Sequence, residues 1–293
     1  MKKKLAIALA LSIAALAGCG SSSSGTTAAA AETTAAAETT ATVKTTAAAA
    51  DTAAVAADTT TGDGEIMLAA AASLKNAFED KLIPMFKEQT GISVTATYDS
   101  SGKLQTQIEE GAPVDVFFSA SMKQMNALQD ENLINTNTRV DLLENKVVLA
   151  VPEGNPADIQ SFEDIGTDPC KRIALGNEDV PVGSYSVEIL TNLGILDELE
   201  SGNKITYGSN VKEVTTQVKE AAADCGIVYA TDAFSAGLET VDQATAEECS
   251  PVIYPAALTA STEHADEAQA FLEYLTTDDA AAIFASVGFA MVK

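Results

Sequence analysis

The sequence predicts an α/β protein folded as two lobes, each a mostly parallel sheet flanked by helices, with two strands crossing between them. Three observations carry that prediction. Short apolar runs alternate with helix-period stretches throughout the segment that begins at Glu65, which is the pattern of βα units. All fifteen Phe and Tyr residues lie in that segment, and its length fills one large core or, more naturally, two smaller ones. The last part of the chain resumes the style of the first. The chain therefore leaves lobe I at about Lys146 and returns at about Pro251, so that 65–146 with 251–293 form lobe I and 147–250 lobe II. A cleft between such lobes is where small ligands bind.

Taken in order, residues 66–72 read as a buried strand, and Ser73 as the N-cap of a helix whose Leu74, Ala77, Phe78, Leu82 and Phe86 share one face. Pro84 should kink that helix and Gly91 should stop it. Residues 92–98 alternate as a strand, and Ser100-Ser101-Gly102 opens a helix over 103–110. A strand over 114–119 and a helix over 122–128 follow. The run Val147-Val148-Leu149-Ala150-Val151 reads as a deeply buried strand. Lobe II then continues with strands at 173–175, 204–207 and 227–229 and helices at 184–193 and 211–223. A strand at 252–258 and helices at 267–275 and 278–287 close the chain. The stripe Phe271, Leu272, Tyr274, Leu275 reads as packing.

Two of these junctions stand out. Ala70-Ala71-Ala72-Ser73-Leu74 and Asp99-Ser100-Ser101-Gly102-Lys103-Leu104 each place serine where a strand becomes a helix. Backbone N–H groups are unpaired at such a point and the helix dipole is positive there. One junction alone is an ordinary cap; two in adjacent units can hold an anion between them.

The N-terminus is a processing signal. Lys2, Lys3 and Lys4 precede an apolar stretch over 5–17, and Leu16-Ala17-Gly18-Cys19 resembles a bacterial lipobox. Residues 1–18 are then a lipoprotein signal peptide, with lipid on Cys19 anchoring the chain to the membrane; an ordinary secretory signal is the alternative. Residues 19–64, almost wholly Ala, Thr, Ser and Gly with no aromatic, cannot bury enough apolar surface to fold. They form a tether spanning on the order of 35–40 Å.

Charge narrows the function. The chain carries a net −25, of which −24 falls after residue 64, which excludes nucleic-acid binding. An anionic ligand could not be recruited by long-range attraction and must be held by local dipoles. No CxxC or Cys/His cluster suggests a metal cation. Cys170 and Cys225 each precede an apolar strand, and if those strands are neighbours in one sheet the two form a possible disulfide. Catalysis lacks its parts: the single histidine, His264, lies in a polar stretch, and there is no G-x-S-x-G elbow, P-loop or G-x-G-x-x-G. A surface hydrolase and an adhesion module are the distant alternatives.

Four segments carry a family resemblance. Ala70–Leu74, Glu110-Gly111-Ala112-Pro113-Val114-Asp115-Val116-Phe117, Gly176-Asn177-Glu178-Asp179-Val180-Pro181-Val182-Gly183-Ser184-Tyr185 and Gly226-Ile227-Val228-Tyr229-Ala230-Thr231-Asp232-Ala233 resemble, in order and spacing, the molybdate-binding proteins of bacterial ABC importers. The resemblance implies a type II periplasmic-binding fold and a monomeric, non-enzymatic, extracytoplasmic lipoprotein. Such a protein captures molybdate or tungstate, needs no cofactor, and delivers its cargo to a membrane permease. It places ligand contacts on Ser73, Ser101, Val182, Val211 and Tyr229, with valine at 182 where the family usually has alanine. Another tetrahedral oxyanion such as sulfate is the alternative cargo. A fully deprotonated dianion calls for a cage of donors without carboxylates.

Overall fold

A computed structural model describes residues 64–292; the expected signal peptide, the expected lipid-bearing Cys19 and the expected tether up to residue 63 lie outside the described residues. The strands are β1 (Glu65–Ala71), β2 (Ser93–Asp99), β3 (Val116–Phe118), β4 (Val140–Asn145), β5 (Val147–Val151), β6 (Ile173–Gly176), β7 (Ile205–Gly208), β8 (Cys225–Tyr229), β9 (Glu239–Gln243), β10 (Val252–Leu258) and β11 (Ala290–Met291). One sheet runs β11-β4-β10-β3-β1-β2 and the other β7-β6-β8-β5-β9, and helices flank both.

Each sheet is mixed rather than mostly parallel. β1 pairs in parallel with β2 and β3, and β6 with β7 and β8. The remaining pairings are antiparallel. The chain path gives the reason. β4 carries the chain out of the first sheet and β10 brings it back, so as neighbours they run in opposite directions. The same holds for β5 and β9 in the second sheet. Only Lys146 separates β4 from β5, while the return occupies the interval between Gln243 and Val252.

The inner parallel strands β1, β3, β6 and β8 are apolar on both faces, as strands covered by helices on both sides must be, while the edge strands β2 and β7 are only partly buried. In β3, Val116 and Phe118 face one core layer and Phe117 the other. Phe78, Phe118, Phe271 and Phe284 meet edge-to-face or tilted at centroid separations of 5.8–6.0 Å around Phe78, a geometry aromatic pairs prefer. Phe271, Leu272, Tyr274 and Leu275 are buried in this layer, so the stripe is packing.

The first helix departs from expectation in an instructive way. It runs as a 3-10 turn (Ala72–Leu74), a short α segment (Lys75–Ala77), a π turn (Phe78–Leu82) and an α-helix (Ile83–Thr90). Pro84 has no N–H and its ring crowds the preceding carbonyls; the wider π turn just before it absorbs that conflict. The helix ends on Gly91, whose φ of 81° is left-handed and suits a residue without a Cβ. Ser73 lies inside the 3-10 turn and caps nothing.

Cys170 and Cys225 come together as the neighbouring strands suggest, Cys225 pairing in register with Ile173. Both are free and buried, with their sulfurs 3.7 Å apart. The expected disulfide is therefore not formed in this structure: a bond needs about 2.05 Å.

Candidate functional site

Six chain segments, each at or just before the start of a helix, meet at one small cavity. From the first-sheet side it is lined by Ala71, Ala72, Ser73, Asp99, Ser100, Ser101 and Ala120, and from the other by Val180, Pro181, Val211 and Tyr229. Four of the five residues expected there, Ser73, Ser101, Val211 and Tyr229, are thus brought together. Val182 does not line the cavity: it is the second residue of the helix Pro181–Asn192 and fully buried. Its neighbours Val180 and Pro181 make the wall, so any part played by Val182 falls to its main chain. The cavity is about 10 Å³, far below the roughly 300–1,000 Å³ that organic ligands occupy. As it stands it has room for about one water molecule, which excludes an organic guest.

The two serines of the second junction divide their work. Ser100 is the N-cap of the helix Ser101–Glu109, its Oγ accepting from the Lys103 N–H at 3.3 Å. That frees the Ser101 hydroxyl, which is fully buried and accepts from the Ala120 N–H at 3.0 Å. Asn210 caps the helix Val211–Lys219 in the same manner, through Glu213 N–H at 3.1 Å, and leaves the Val211 amide at the cavity. Glu213 closes this cap, its carboxylate accepting from the Ser209 N–H, and that hydrogen bond holds its pKa below the usual range.

Tyr229 immediately precedes the helix Ala230–Ala236, makes no side-chain cap to it, and donates its hydroxyl to the Ala120 carbonyl at 3.3 Å. That contact joins the two sheets' bodies across the cavity. Burial pushes the Tyr229 phenol well above its usual pKa, so it stays a donor. A second junction contact is the Gly102 N–H donating to the Asp179 carbonyl at 3.0 Å. A Cβ at Gly102 would stand 2.6 Å from that oxygen.

The wall is not free of carboxylates, contrary to expectation. Asp99 lines it, but its Oδ1 accepts from the Ser100 N–H at 2.8 Å and from Lys103 Nζ at 3.3 Å. The charge is thereby paired at a partly exposed rim. Asp232 lies fully buried one turn beyond Tyr229, and Lys212, next to Val211, reaches its Oδ1 at 2.9 Å. Burial raises the Asp232 pKa while Lys212 lowers it. The pair ties together two helices that start at the cavity, one with Val211 and the other just after Tyr229.

Sequence reasoning missed Tyr254 and Asn145. Tyr254 lies 3.1 Å from Ser73 Oγ, and Asn145 bonds both Tyr254 and Thr231. Asn145 ends β4 at the crossing, a position that could have marked it. His264 is exposed and borders a separate cavity of about 680 Å³ near Pro113, away from these serines.

Comparison with known proteins bears on the family and the fold. Residues 66–290 match the family model for bacterial extracellular solute-binding proteins. The chain is 37% identical over 226 residues to YvgL of Bacillus subtilis, described as a candidate ABC transporter substrate-binding lipoprotein; the match covers 76% of this chain and 85% of that protein. It is 36% identical over 243 residues to the molybdate-binding protein ModA of Escherichia coli, covering 80% and 92%. The solved periplasmic molybdate-binding protein of Azotobacter vinelandii superposes with a TM-score of 0.70 at 27% identity, covering 78% of this chain and all of that one. The chain therefore belongs to the bacterial extracellular solute-binding proteins.

Proposed function

We propose that this chain is the extracytoplasmic binding component of an ABC importer for molybdate and tungstate, holding the oxyanion between its lobes and passing it to a membrane permease. The observation that carries this reading is the convergence of Ser73, Ser101, the Val211 helix start and Tyr229 on one small cavity between the two sheets. Relatives named for molybdate binding, at identities up to 36%, favour that cargo over sulfate.

The chemistry fits a tetrahedral dianion with four acceptor oxygens and no proton. Hydroxyls and helix-start amides supply donors from both sides. Each charge-assisted hydrogen bond contributes about 1.5–3 kcal/mol, and donors already fixed by strand ends and helix starts lose little entropy on binding. Val182 belongs to the ligand set through its backbone N–H, one step behind the cavity wall.

The lobes meet at Lys146 and across 244–251, and these two crossings are the hinge. Closure about them gives the permease a shape that only the loaded protein presents. The chain acts as a monomer without catalytic chemistry, held at the outer face of the membrane by lipid on Cys19 after cleavage of residues 1–18. The lipobox supports this, as does the description of YvgL as a candidate lipoprotein.

Calorimetry of the purified protein against molybdate, tungstate, sulfate and phosphate tests the reading. Molybdate and tungstate should bind tightly, sulfate weakly because it is the smaller tetrahedron, and phosphate least because its proton meets a wall of donors whose one carboxylate, Asp99, is already engaged by Ser100 and Lys103. Equal heats for sulfate and molybdate would refute the assignment.

A further inference from the structure

A serine hydroxyl can donate or accept, and which of these Ser73 does decides what anion its cavity admits. The hydrogen bonds behind Ser73 fix the answer. Asn145 Oδ1 accepts from the Lys146 main-chain N–H at 2.8 Å. That orients the side-chain amide, so Nδ2 faces inward and donates to Thr231 Oγ1 at 2.9 Å and to Tyr254 Oη at 3.1 Å. An amide NH₂ has no lone pair to offer, so Tyr254 is the acceptor in that contact. Its single proton is left for its other partner, Ser73 Oγ, at 3.1 Å. Tyr254 is fully buried, and burial keeps its phenol protonated. Ser73 Oγ is therefore an acceptor toward Tyr254, and its own proton is free to point into the cavity. Ser101 reaches the same state by another route, its Oγ accepting from the Ala120 amide.

We propose that Asn145 and Tyr254 are positioning residues that set specificity: through Ser73 they hold the cavity wall in its donor state, so that the site takes tetrahedral oxyanions carrying no proton and turns away those that carry one. The inference rests on the proposed oxyanion-binding function and adds the residues that enforce its selectivity. It also assigns the orienting role to the backbone of Lys146, the residue at which the chain changes sheets.

Two substitutions test it. Tyr254→Phe removes the proton given to Ser73 and keeps the ring packed against Tyr229 and Phe289. Ser73 can then turn and accept, so the ratio of phosphate Kd to molybdate Kd should fall about tenfold, the scale of satisfying one buried donor. This ratio is unaffected by any fraction of the variant that fails to fold. Asn145→Asp keeps the shape but places an acceptor against Tyr254. The phenol then donates to residue 145 and takes the Ser73 proton for itself, and molybdate affinity should drop at least tenfold. Calorimetry of wild type and both variants with molybdate and inorganic phosphate reads all of this. A wild type that binds molybdate beside variants with unchanged ratio and affinity overturns the relay. A wild type that binds no molybdate overturns the function itself.

Discussion

Ser100 and Ser101 are adjacent and chemically identical, yet the first caps a helix and the second is released to the cavity. Ser101→Ala removes one donor to the anion and strands the Ala120 amide it accepts from. Molybdate affinity should fall roughly 10- to 100-fold, with a lower apo melting temperature, read by calorimetry and thermal unfolding on the same sample. The sequence marks both serines as lying at a strand-to-helix switch but cannot divide the work between them, because the division depends on where the Ala120 amide falls. Tyr254 is less legible still. Its partner Ser73 is 181 residues away, and a tyrosine in an apolar strand looks like any core aromatic until the sheet is assembled. Asp99 misleads in the opposite sense: it lines the cavity, and only its contacts with Ser100 and Lys103 show how its charge is occupied.

Among the elements, the helices Val211–Lys219 and Ala230–Ala236 are bound by the Lys212–Asp232 pair, whose members are unequal. Asp232 is wholly buried while Lys212 is about one-third exposed. Lys212→Met leaves a carboxylate in the interior without a counter-charge, which costs about 3–5 kcal/mol at pH 7. Burial already raises the Asp232 pKa above its unfolded value, and losing Lys212 raises it further. Protonation therefore favours the fold: the defect should shrink as pH falls toward 5 and be fully felt at neutral pH. Urea unfolding at the two pH values measures this, and Asp232→Asn should be milder because the freed lysine can reach water. Strong apolar periodicity makes β1, β5 and the long helices readable from sequence. β4, β9 and β11 are not, since Val140–Asn145 and Glu239–Gln243 are short, polar and partly exposed, and only pairing with β10 and β5 makes them strands. The helix Ala230–Ala236 spans seven residues, too few for a period to emerge.

In the whole molecule, the two bodies touch across the cavity through Tyr229 with Ala120 and through Gly102 with Asp179. The second contact leaves no room for a side chain: a Cβ on residue 102 would meet the Asp179 oxygen at 2.6 Å and its Cα at 2.8 Å, and both atoms are backbone. Gly102→Ala should leave each body folded but hold them apart. We expect little change in the apo melting temperature, a molybdate Kd at least tenfold higher, and a smaller contraction on adding molybdate in solution scattering. The alternation of elements and the resumed style near Pro251 make the division into two sheets legible. The mixed character of the sheets is not, because the direction of a strand at a crossing is a property of the path rather than of its residues.

One feature of the cavity bears on how fast it fills. No lysine or arginine is among its lining residues, and the protein around it carries a large excess of negative charge. An approaching dianion is repelled at a distance and attracted only within the last few ångströms, where the oriented amides and hydroxyls take hold. Dissolved salt shortens the reach of the repulsion, to about 10 Å at 0.1 M, and scarcely touches the short-range donors. Stopped-flow association should therefore quicken as ionic strength rises, while dissociation stays nearly constant.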